Sequence, residues 1–432
     1  VQICVFALGK IGLPLAVQFA TLGHRVTGVD ISPRVVDLVN GGEAPFPGET
    51  DLDETLKQVV ADGRLTATLD GTAAVAETDA VVIVVPLIVD KDGVPDFGPL
   101  DAATSAVAAG LKKGTLVSYE TTLPVGTTRE RFAPMLASGS GLTAGADFHL
   151  VFSPERVSSG RIFVDLKRYP KLVGGIDEAS TERGVAFYRQ VLEFDDRDDL
   201  PRPNGVWDLG TSEASELAKL AETTYRDVNI GLANTFARYA DRIGVDVAAV
   251  IEACNSQPFS HIHQPGIAVG GHCIPVYPRM YLWNDPEAEV VRAAREANAA
   301  MPEYAVSLLE AERGDLTGLR VAVLGIAYRG GVKETAFSGV FPTVDALEER
   351  GAEVVVADPM YTEDEIRALG FTPYIVGSGE SVDAAIIQSD HAEYRALTPA
   401  DLPGVGTLID GRRITDPAAW QGVRRRMIGA GI

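Results

Sequence analysis

Short apolar runs alternate with amphipathic stretches through the first half of the chain. QICVFALG (2–9) reads as a strand, GLPLAVQFATLG (12–23) as a helix ended by Gly23, HRVTGVD (24–30) as the next strand and PRVVDLVNGG (33–42) as the next helix. After a polar insert come DAVVIVVP (79–86), GTLVSYETT (114–122) and ADFHLVFSP (146–154), each a β-rich run closed by Pro, Thr or Ser. This rhythm predicts βαβ units and a mainly parallel sheet. From about Leu209 to Glu310 the pattern changes. Residues 211–244 keep apolar positions every three or four residues and read as one long helix, with DVAAVIEAC and EVVRAAREANAAMPEYAVSLLEA as further helices. Without strands of their own, these helices join two sheet domains and offer a dimer surface. LTGLRVAVLGIAYRGG (316–331) restarts the alternation, and AEVVVADP, SVDAAIIQSD and VGTLIDGRR continue it. RVAVLG at 320–325 echoes QICVFALG. The expected fold is α/β, with two Rossmann-like domains (1–205 and 314–432) joined by a central helical region (206–313) that holds the long helix.

Charge narrows the partners. Sixty acidic against 38 basic side chains give a formal net charge of -22. Such a surface disfavours nucleic acid, whose binding rests on cationic contacts to phosphate, yet a local cluster of Arg and Lys can still take a small anion. The opening residues lack a basic start and cleavage site, and no apolar run approaches the ~20 residues that span a membrane. The expectation is a cytoplasmic protein with no membrane partner. Six histidines without paired spacing and three cysteines, Cys4, Cys254 and Cys273, support neither a metal site nor a disulfide framework. Cys4 lies in the first apolar strand and Cys254 in a helical pattern, so both read as packed core thiols.

Residues 7–12, ALGKIG, stand where a strand–helix turn binds a dinucleotide. The fingerprint is G-x-G-x-x-G, with Ala7 in place of the first glycine. Gly9 would let backbone approach a pyrophosphate, Gly12 would let the helix pack on the sheet, and the helix N-terminus faces phosphate. Lys10 and Ile11 lie in the same turn, and Pro86 closes the run 79–86. Asp30, ending the second strand, can accept hydrogen bonds from ribose hydroxyls and would repel a 2′-phosphate, so NAD is expected over NADP. Arg34 either covers the adenine side or is a solvated helix residue.

GIAVGGHCIPVYP (266–278) sets one thiol in a loop of glycines and prolines. An accessible cysteine can attack an electrophilic carbon as a thiolate. Gly270 and Gly271 let a substrate pass close to backbone, and Pro275 stiffens the loop beyond Cys273.

The ordered motifs ALGKIGLPLA (7–16), YETTLPVGTT (119–128), SPER (153–156), ELAKLAETTYRDVNI (216–230), GGHCIPV (270–276), GIAYRGGVKET (325–335), DP (358–359) and IDGRR (409–413) span nearly the whole chain. In them the chain resembles the nucleotide-sugar 6-dehydrogenases of the UDP-glucose, GDP-mannose and UDP-N-acetylmannosamine type, and its thiol loop is most similar to the N-acetylhexosamine branch. The resemblance implies oxidation of the C6 alcohol of a UDP- or dTDP-linked hexose, glucose or N-acetylhexosamine, to the uronate with two NAD and one water. The product forms by two hydride transfers through a thiohemiacetal and a thioester on Cys273. It also implies a homodimer. Lys219 matches a lysine that stabilises oxygen charge at C6; a snorkelling lysine is the bland alternative. Glu155 matches a carboxylate for proton handling and thioester hydrolysis, or is a charge capping a strand end. Thr122 matches a hydroxyl that positions water or the nicotinamide amide, or is structural. Gly270 and Gly271 line the sugar site, and His272 contacts sugar or braces the loop. Arg329 replaces the usual lysine as a diphosphate cation, and Arg412 or Arg413 reaches nucleotide or diphosphate, or pairs with surface acids.

Three departures stand against this match. Thr223 occupies the place of an Asn one turn beyond Lys219. Tyr277 replaces an Asp four residues after the thiol, and a phenol with reference pKa of about 10 is a poor substitute for a carboxylate. Ala336 stands where an arginine is expected. They keep two other readings open: a relative that stops at the aldehyde, and a protein that binds a nucleotide sugar without turning it over.

Overall fold

The computed structural model describes residues 1–90, 93–158 and 160–431. Its chain divides into two compact units, Val1–Glu222 and Thr223–Ile432. The first apolar runs form strands buried on both faces, as continuous apolar sequence requires of a parallel sheet covered by helices. They are β1 (Gln2–Phe6), β2 (Arg25–Val29) and, beyond the half-exposed edge strand β3 (Leu65–Thr68) of the polar insert, β4 (Ala80–Ile83). A two-stranded antiparallel excursion comes next, β5 (Ile88–Val89) with β6 (Pro95–Asp96). The sheet resumes with β7 (Leu116–Tyr119), β8 (His149–Phe152), β9 (Lys171–Gly175) and β10 (Val206–Thr211).

Its order is β10-β9-β8-β7-β4-β1-β2-β3, parallel at every join except β8–β9. Alternation along each strand feeds two cores. Ile3, Val5, Ala80 and Val82 pack with Leu13, Phe19 and Phe187 on one face. Cys4, Phe6, Val81 and Ile83 pack with Leu100, Val107 and Phe132 on the other. The chain winds outward from β1 to β3, then returns to lay β4 on the opposite side of β1. That reversal is the topological switch point, where open α/β sheets bind ligands at the carboxyl ends of the strands. Strand β10, which the sequence pattern assigns to the head of the helical region, is the edge of this sheet.

The second unit repeats the scheme with five parallel strands: β11 (Arg320–Leu324), β12 (Glu353–Ala357), β13 (Ala384–Ile387), β14 (Thr407–Asp410) and β15 (Arg424–Met427), in the order β12-β11-β13-β14-β15. The echo between the two halves is structural. Ala7 donates its N–H to Val29 O at 2.8 Å, and Gly325 donates to Ala357 O at 2.7 Å. Asp30 Oδ2 accepts the Leu8 N–H at 2.9 Å, and Asp358 Oδ2 accepts that of Ile326 at 2.7 Å. The halves differ in what else meets the acid. Asp358 is closed off by His391 Nε2 at 3.1 Å, so it is already committed within the protein.

The predicted long helix runs from Ser212 to Ile243, and Val247–Asn255, Glu289–Ala299 and Met301–Arg313 are the further helices. Within the second unit the long helix exposes Tyr225, Leu232, Phe236, Tyr239 and Ile243. Their spacing of seven, four, three and four residues makes one apolar stripe. Among the described residues no helix is long and apolar enough to cross a membrane.

Candidate active site

Five of the positions singled out in the first unit fall just past the carboxyl ends of adjacent parallel strands. In sheet order they are Glu155 after β8, Thr122 after β7, Pro86 after β4, the 7–12 turn after β1 and Asp30 after β2. The turn shows why its residues are what they are. Ala7 has φ of 73°, the left-handed conformation that glycine adopts most easily. A Cβ on Gly12 would stand 1.9 Å from the Ala7 carbonyl oxygen and 2.6 Å from Val84 Cγ2, so packing within the chain demands glycine there. A Cβ on Gly9 would meet nothing within 4 Å. Chain packing does not require glycine at 9. Lys10 is exposed and Ile11 half-buried on the same turn, which leads into the helix Gly12–Thr21. Asp30 spans the turn, accepting from Leu8 N–H through one oxygen and from Ser32 N–H through the other, both at 2.9 Å. Arg34 is exposed, and Ile31, which the sequence reading passes over, is 98% exposed beside Asp30.

Glu155 is 11% exposed at its side chain and accepts Lys171 Nζ at 3.0 Å. Burial works to raise its carboxyl, but Lys171 and the Arg156 N–H outweigh burial and hold it below the usual glutamate range. Thr122 is buried. Lys219 is 8% exposed on the long helix, and Thr223 one turn further is also buried. Glu216, one turn before Lys219, accepts Gly126 N–H, Thr128 N–H and Thr128 Oγ1 at 2.6, 2.9 and 2.6 Å.

In the second unit the thiol loop is held at its backbone. Asn234 Oδ1 accepts the Gly266 N–H at 3.0 Å, and Gly271 N–H donates to Ala336 O at 2.8 Å. Arg295 donates to both oxygens of Asp227 through Nε and Nη2 at 2.5 Å and reaches the Pro275 carbonyl through Nη1 at 3.4 Å. Asn298 joins Asp227 to Asn234 at 2.7 and 2.9 Å, so one buried polar chain ties both ends of the loop. The glycines have a different reason from the one their sequence suggests. A Cβ on Gly270 would stand 2.4 Å from Tyr328 Cβ and 2.9 Å from Phe337 O, and Gly271 has φ of 93°. Close packing of the loop on residues 328–337 is sufficient to require them. The Ala336 position acts through its carbonyl, which an arginine would also have supplied.

Cys273 is exposed, whereas Cys4 is buried, its thiol pushed up by burial, and Cys254 is half-buried. The Cys273 carbonyl accepts the N–H of Tyr277 at 2.9 Å, so the thiol sits one turn ahead of the helix Tyr277–Asn284. His272 Nε2 lies 3.4 Å from Glu334. Arg329 is exposed. Arg412 instead donates to the carbonyls of Gln388, Tyr328 and Ala268 at 2.8, 3.2 and 3.5 Å. Arg413 pairs with Asp246 at 2.8 Å.

A glycine cradle at the switch point of a parallel sheet, with a carboxylate ending the next strand, defines a dinucleotide-dependent oxidoreductase. Three family models then match in order: the NAD binding domain (residues 1–192), the central domain (213–300) and the UDP binding domain (322–417) of the UDP-glucose/GDP-mannose dehydrogenase family. The chain belongs to that family, and its cofactor is NAD. It is 35% identical over 426 residues to a UDP-N-acetyl-D-mannosamine dehydrogenase of Pyrococcus horikoshii, with 96% of each chain covered. A solved structure of the UDP-D-ManNAc dehydrogenase from that organism superposes with a TM-score of 0.86 at 33% identity, covering 100% of this chain and 99% of that one. An NDP-N-acetyl-D-galactosaminuronic acid dehydrogenase structure from Methanosarcina mazei gives 0.84 at 28%, covering 99% and 95%.

Proposed function

We propose that the protein oxidises the C6 alcohol of a UDP-linked N-acetylhexosamine, with UDP-N-acetyl-D-mannosamine the first substrate to test, through to the carboxylate. The observation that carries the reading is Cys273, exposed at the end of a loop whose backbone is fixed on both sides. An oxidation that ended at the aldehyde would have no use for a positioned thiol. The relatives' substrates favour an N-acetylated sugar on UDP. In balance, one alcohol, two NAD and one water give one carboxylate, two NADH and three protons.

NAD, cradled by Ala7–Gly12 and Asp30, supplies the two-electron acceptor for both oxidations. Cys273 Sγ adds to the aldehyde carbon, forming a C–S bond and a hydroxyl, so the reactive intermediate stays bound. Loss of hydride and the hydroxyl proton leaves a thioester. Water then adds, the C–S bond breaks and the thiol is regenerated. Lys219 stabilises the oxygen charge that develops at C6, Glu155 takes the proton of the attacking water, and Thr122 orients that water. Thr223 and Tyr277 contribute hydroxyls where the family has an amide and a carboxylate. Arg329 takes the diphosphate, Gly270, Gly271 and His272 shape the sugar side, and Arg412 holds the loop that carries them. The apolar stripe Tyr225–Ile243 makes the protein a homodimer.

The test is a panel of UDP-N-acetylmannosamine, UDP-glucose, dTDP-glucose and GDP-mannose, with NADH counted per product. Acid with two NADH per sugar is expected, greatest for the UDP-N-acetyl sugar, and Cys273→Ser makes no acid while still binding NAD. One NADH with a trappable aldehyde, or binding without turnover, would overturn the reading.

A further inference from the structure

Glu155 is one end of a largely buried network that the proposed reaction does not otherwise use. Lys171, at the start of β9, donates to Glu155 Oε2 at 3.0 Å and to Glu120 Oε2 at 2.5 Å. Glu120, just past β7, also accepts the Tyr188 hydroxyl at 2.6 Å, and that hydroxyl meets Ser118 Oγ at 2.7 Å. The Lys171 ammonium lies 5.0 Å from the Tyr188 ring centre. The side chains of Lys171 and Glu120 are 5% and 0% exposed. Arg156, the other cation near Glu155, turns its guanidinium to Glu222 and the Pro170 carbonyl. Two buried carboxylates therefore face one ammonium, and a second buried negative charge has no cation of its own. Such pairs keep a proton on one member. Burial pushes the Glu120 carboxyl up to about 7, Lys171 pulls against it, and the Glu155 charge pushes the same way as burial.

We propose that Lys171 is a positioning residue for Glu155, and that Glu120 governs how much of the Lys171 charge Glu155 receives. Lys171 fixes the direction of the Glu155 carboxylate and supplies its countercharge. When Glu120 is neutral the ammonium serves Glu155 alone. When Glu120 ionises the ammonium is shared. The proposal rests on the reading of Glu155 as the group that handles the proton of the hydrolytic water.

Its signature is a raised Glu155 titration in one variant and the loss of a second titration step in another. Lys171→Met removes the countercharge, so Glu155 should hold its proton to higher pH, by about one unit or more, and the acid limb of the turnover profile should move up with it. Glu120 is already neutral where Glu155 titrates, so Glu120→Gln should leave the acid limb close to that of the parent. The parent Glu155 signal should instead shift a second time near pH 7 as Glu120 ionises, and Glu120→Gln should abolish that second step. Lys171→Arg keeps the charge and should return the limb close to that of the parent. The experiment measures kcat against pH for the intact enzyme. In parallel it tracks the Glu155 carboxyl by NMR in protein carrying ¹³C-labelled glutamate, with the signal identified through Glu155→Gln. An unmoved limb in folded Lys171→Met, or a second step near pH 7 that persists in Glu120→Gln, would overturn the proposal. If Lys171→Met does not fold, Glu120→Gln and Lys171→Arg decide it alone. Full turnover by Glu155→Gln would refute the role given to Glu155, while the NMR titration would still show whether Lys171 controls its charge.

Discussion

Gly9 and Gly12 stand three residues apart in one turn, and the structure assigns their missing side chains to different causes. A methyl on Gly9 enters open space, and its backbone is not among the left-handed residues. Gly9→Ala should therefore leave the free protein as stable as before, or stabilise it by about 0.4–1 kcal/mol through a less disordered unfolded chain. The methyl would intrude on the pyrophosphate approach, and a weakening of NAD binding by about tenfold, or 1.4 kcal/mol, is expected. Linkage makes the loss visible in melting curves. NAD at a hundred times its parent dissociation constant stabilises the parent by about 2.7 kcal/mol, and by only about 1.4 kcal/mol once that constant rises tenfold. Gly12→Ala is the contrast. Its methyl would sit 1.9 Å from a backbone oxygen, which cannot swing aside as a side chain can. The cost should reach the upper end of overpacking penalties, about 3 kcal/mol, and lower the melting temperature by about 6–12 °C for a unit of this size. Differential scanning calorimetry with and without NAD, together with direct NAD titration, separates the two. If Gly9→Ala melts several degrees lower without NAD yet gains the parent increment when NAD is added, packing explains that glycine and the cofactor argument fails.

The same geometry has other consequences. Ala7→Gly relieves a left-handed alanine worth about 1–2 kcal/mol against about 0.4–1 kcal/mol of added unfolded-chain entropy, so the melting temperature should rise by a few degrees; a fall would show that the Ala7 methyl is a packing group. NADP should serve at least about tenfold less well than NAD because Asp30 repels its extra phosphate, a gap of about 1.4 kcal/mol, and equal kcat/KM for the two would refute that role. The parent should be a dimer by light scattering, and Phe236→Glu with Tyr239→Glu should yield a folded monomer; a monomeric parent at assay concentration contradicts the stripe.

The sheet strands that were legible are those buried on both faces. Ile3–Phe6 and Ala80–Ile83 are unbroken apolar runs, and Leu116–Tyr119 is interrupted only by Ser118, because no face of them meets water. Lys171–Gly175 was not legible, since a lysine and two glycines argue against a strand. The structure supplies the reason for the glycines: a Cβ on Gly174 would stand 1.9 Å from Thr211 O, and one on Gly175 2.5 Å from Thr181 N. The cofactor turn could be read because its chemistry is local, within a few residues. The acid network could not, because Lys171 meets Glu120 across 51 residues and Tyr188 meets it across 68. A buried lysine is indistinguishable in sequence from a surface one. Arg412 is a further case in which the partners could not be read. Its family phrase suggests a ligand contact, and the fold adds three carbonyl acceptors that the phrase does not show.

The thiol loop combines both cases, because its sequence advertises the nucleophile and hides what holds it. Residues 266–276 have no strand or helix of their own, so the position of Cys273 depends on the groups bonded to the loop backbone. Arg295 is the one whose fork geometry can be tested separately from its charge. It is 12% exposed, and Asp227 is fully buried. Removing either partner would strand a buried charge at a cost of about 3–5 kcal/mol, which would confuse misfolding with mispositioning. Arg295→Lys avoids this. A lysine keeps the charge for Asp227 but lacks the planar fork, so the paired Nε and Nη2 bonds and the reach to the Pro275 carbonyl are lost together. Stability should fall by about 1–2 kcal/mol for the hydrogen bonds removed. NAD affinity, a property of the first unit, should not change. Acid formation should slow by about tenfold or more, since small displacements from an attacking geometry are costly, with kcat taking the loss rather than the KM for NAD. If Arg295→Lys melts lower yet makes acid at the parent rate, the loop does not need this anchor, and the position of Cys273 is set from the side of Gly271 and Ala336 instead.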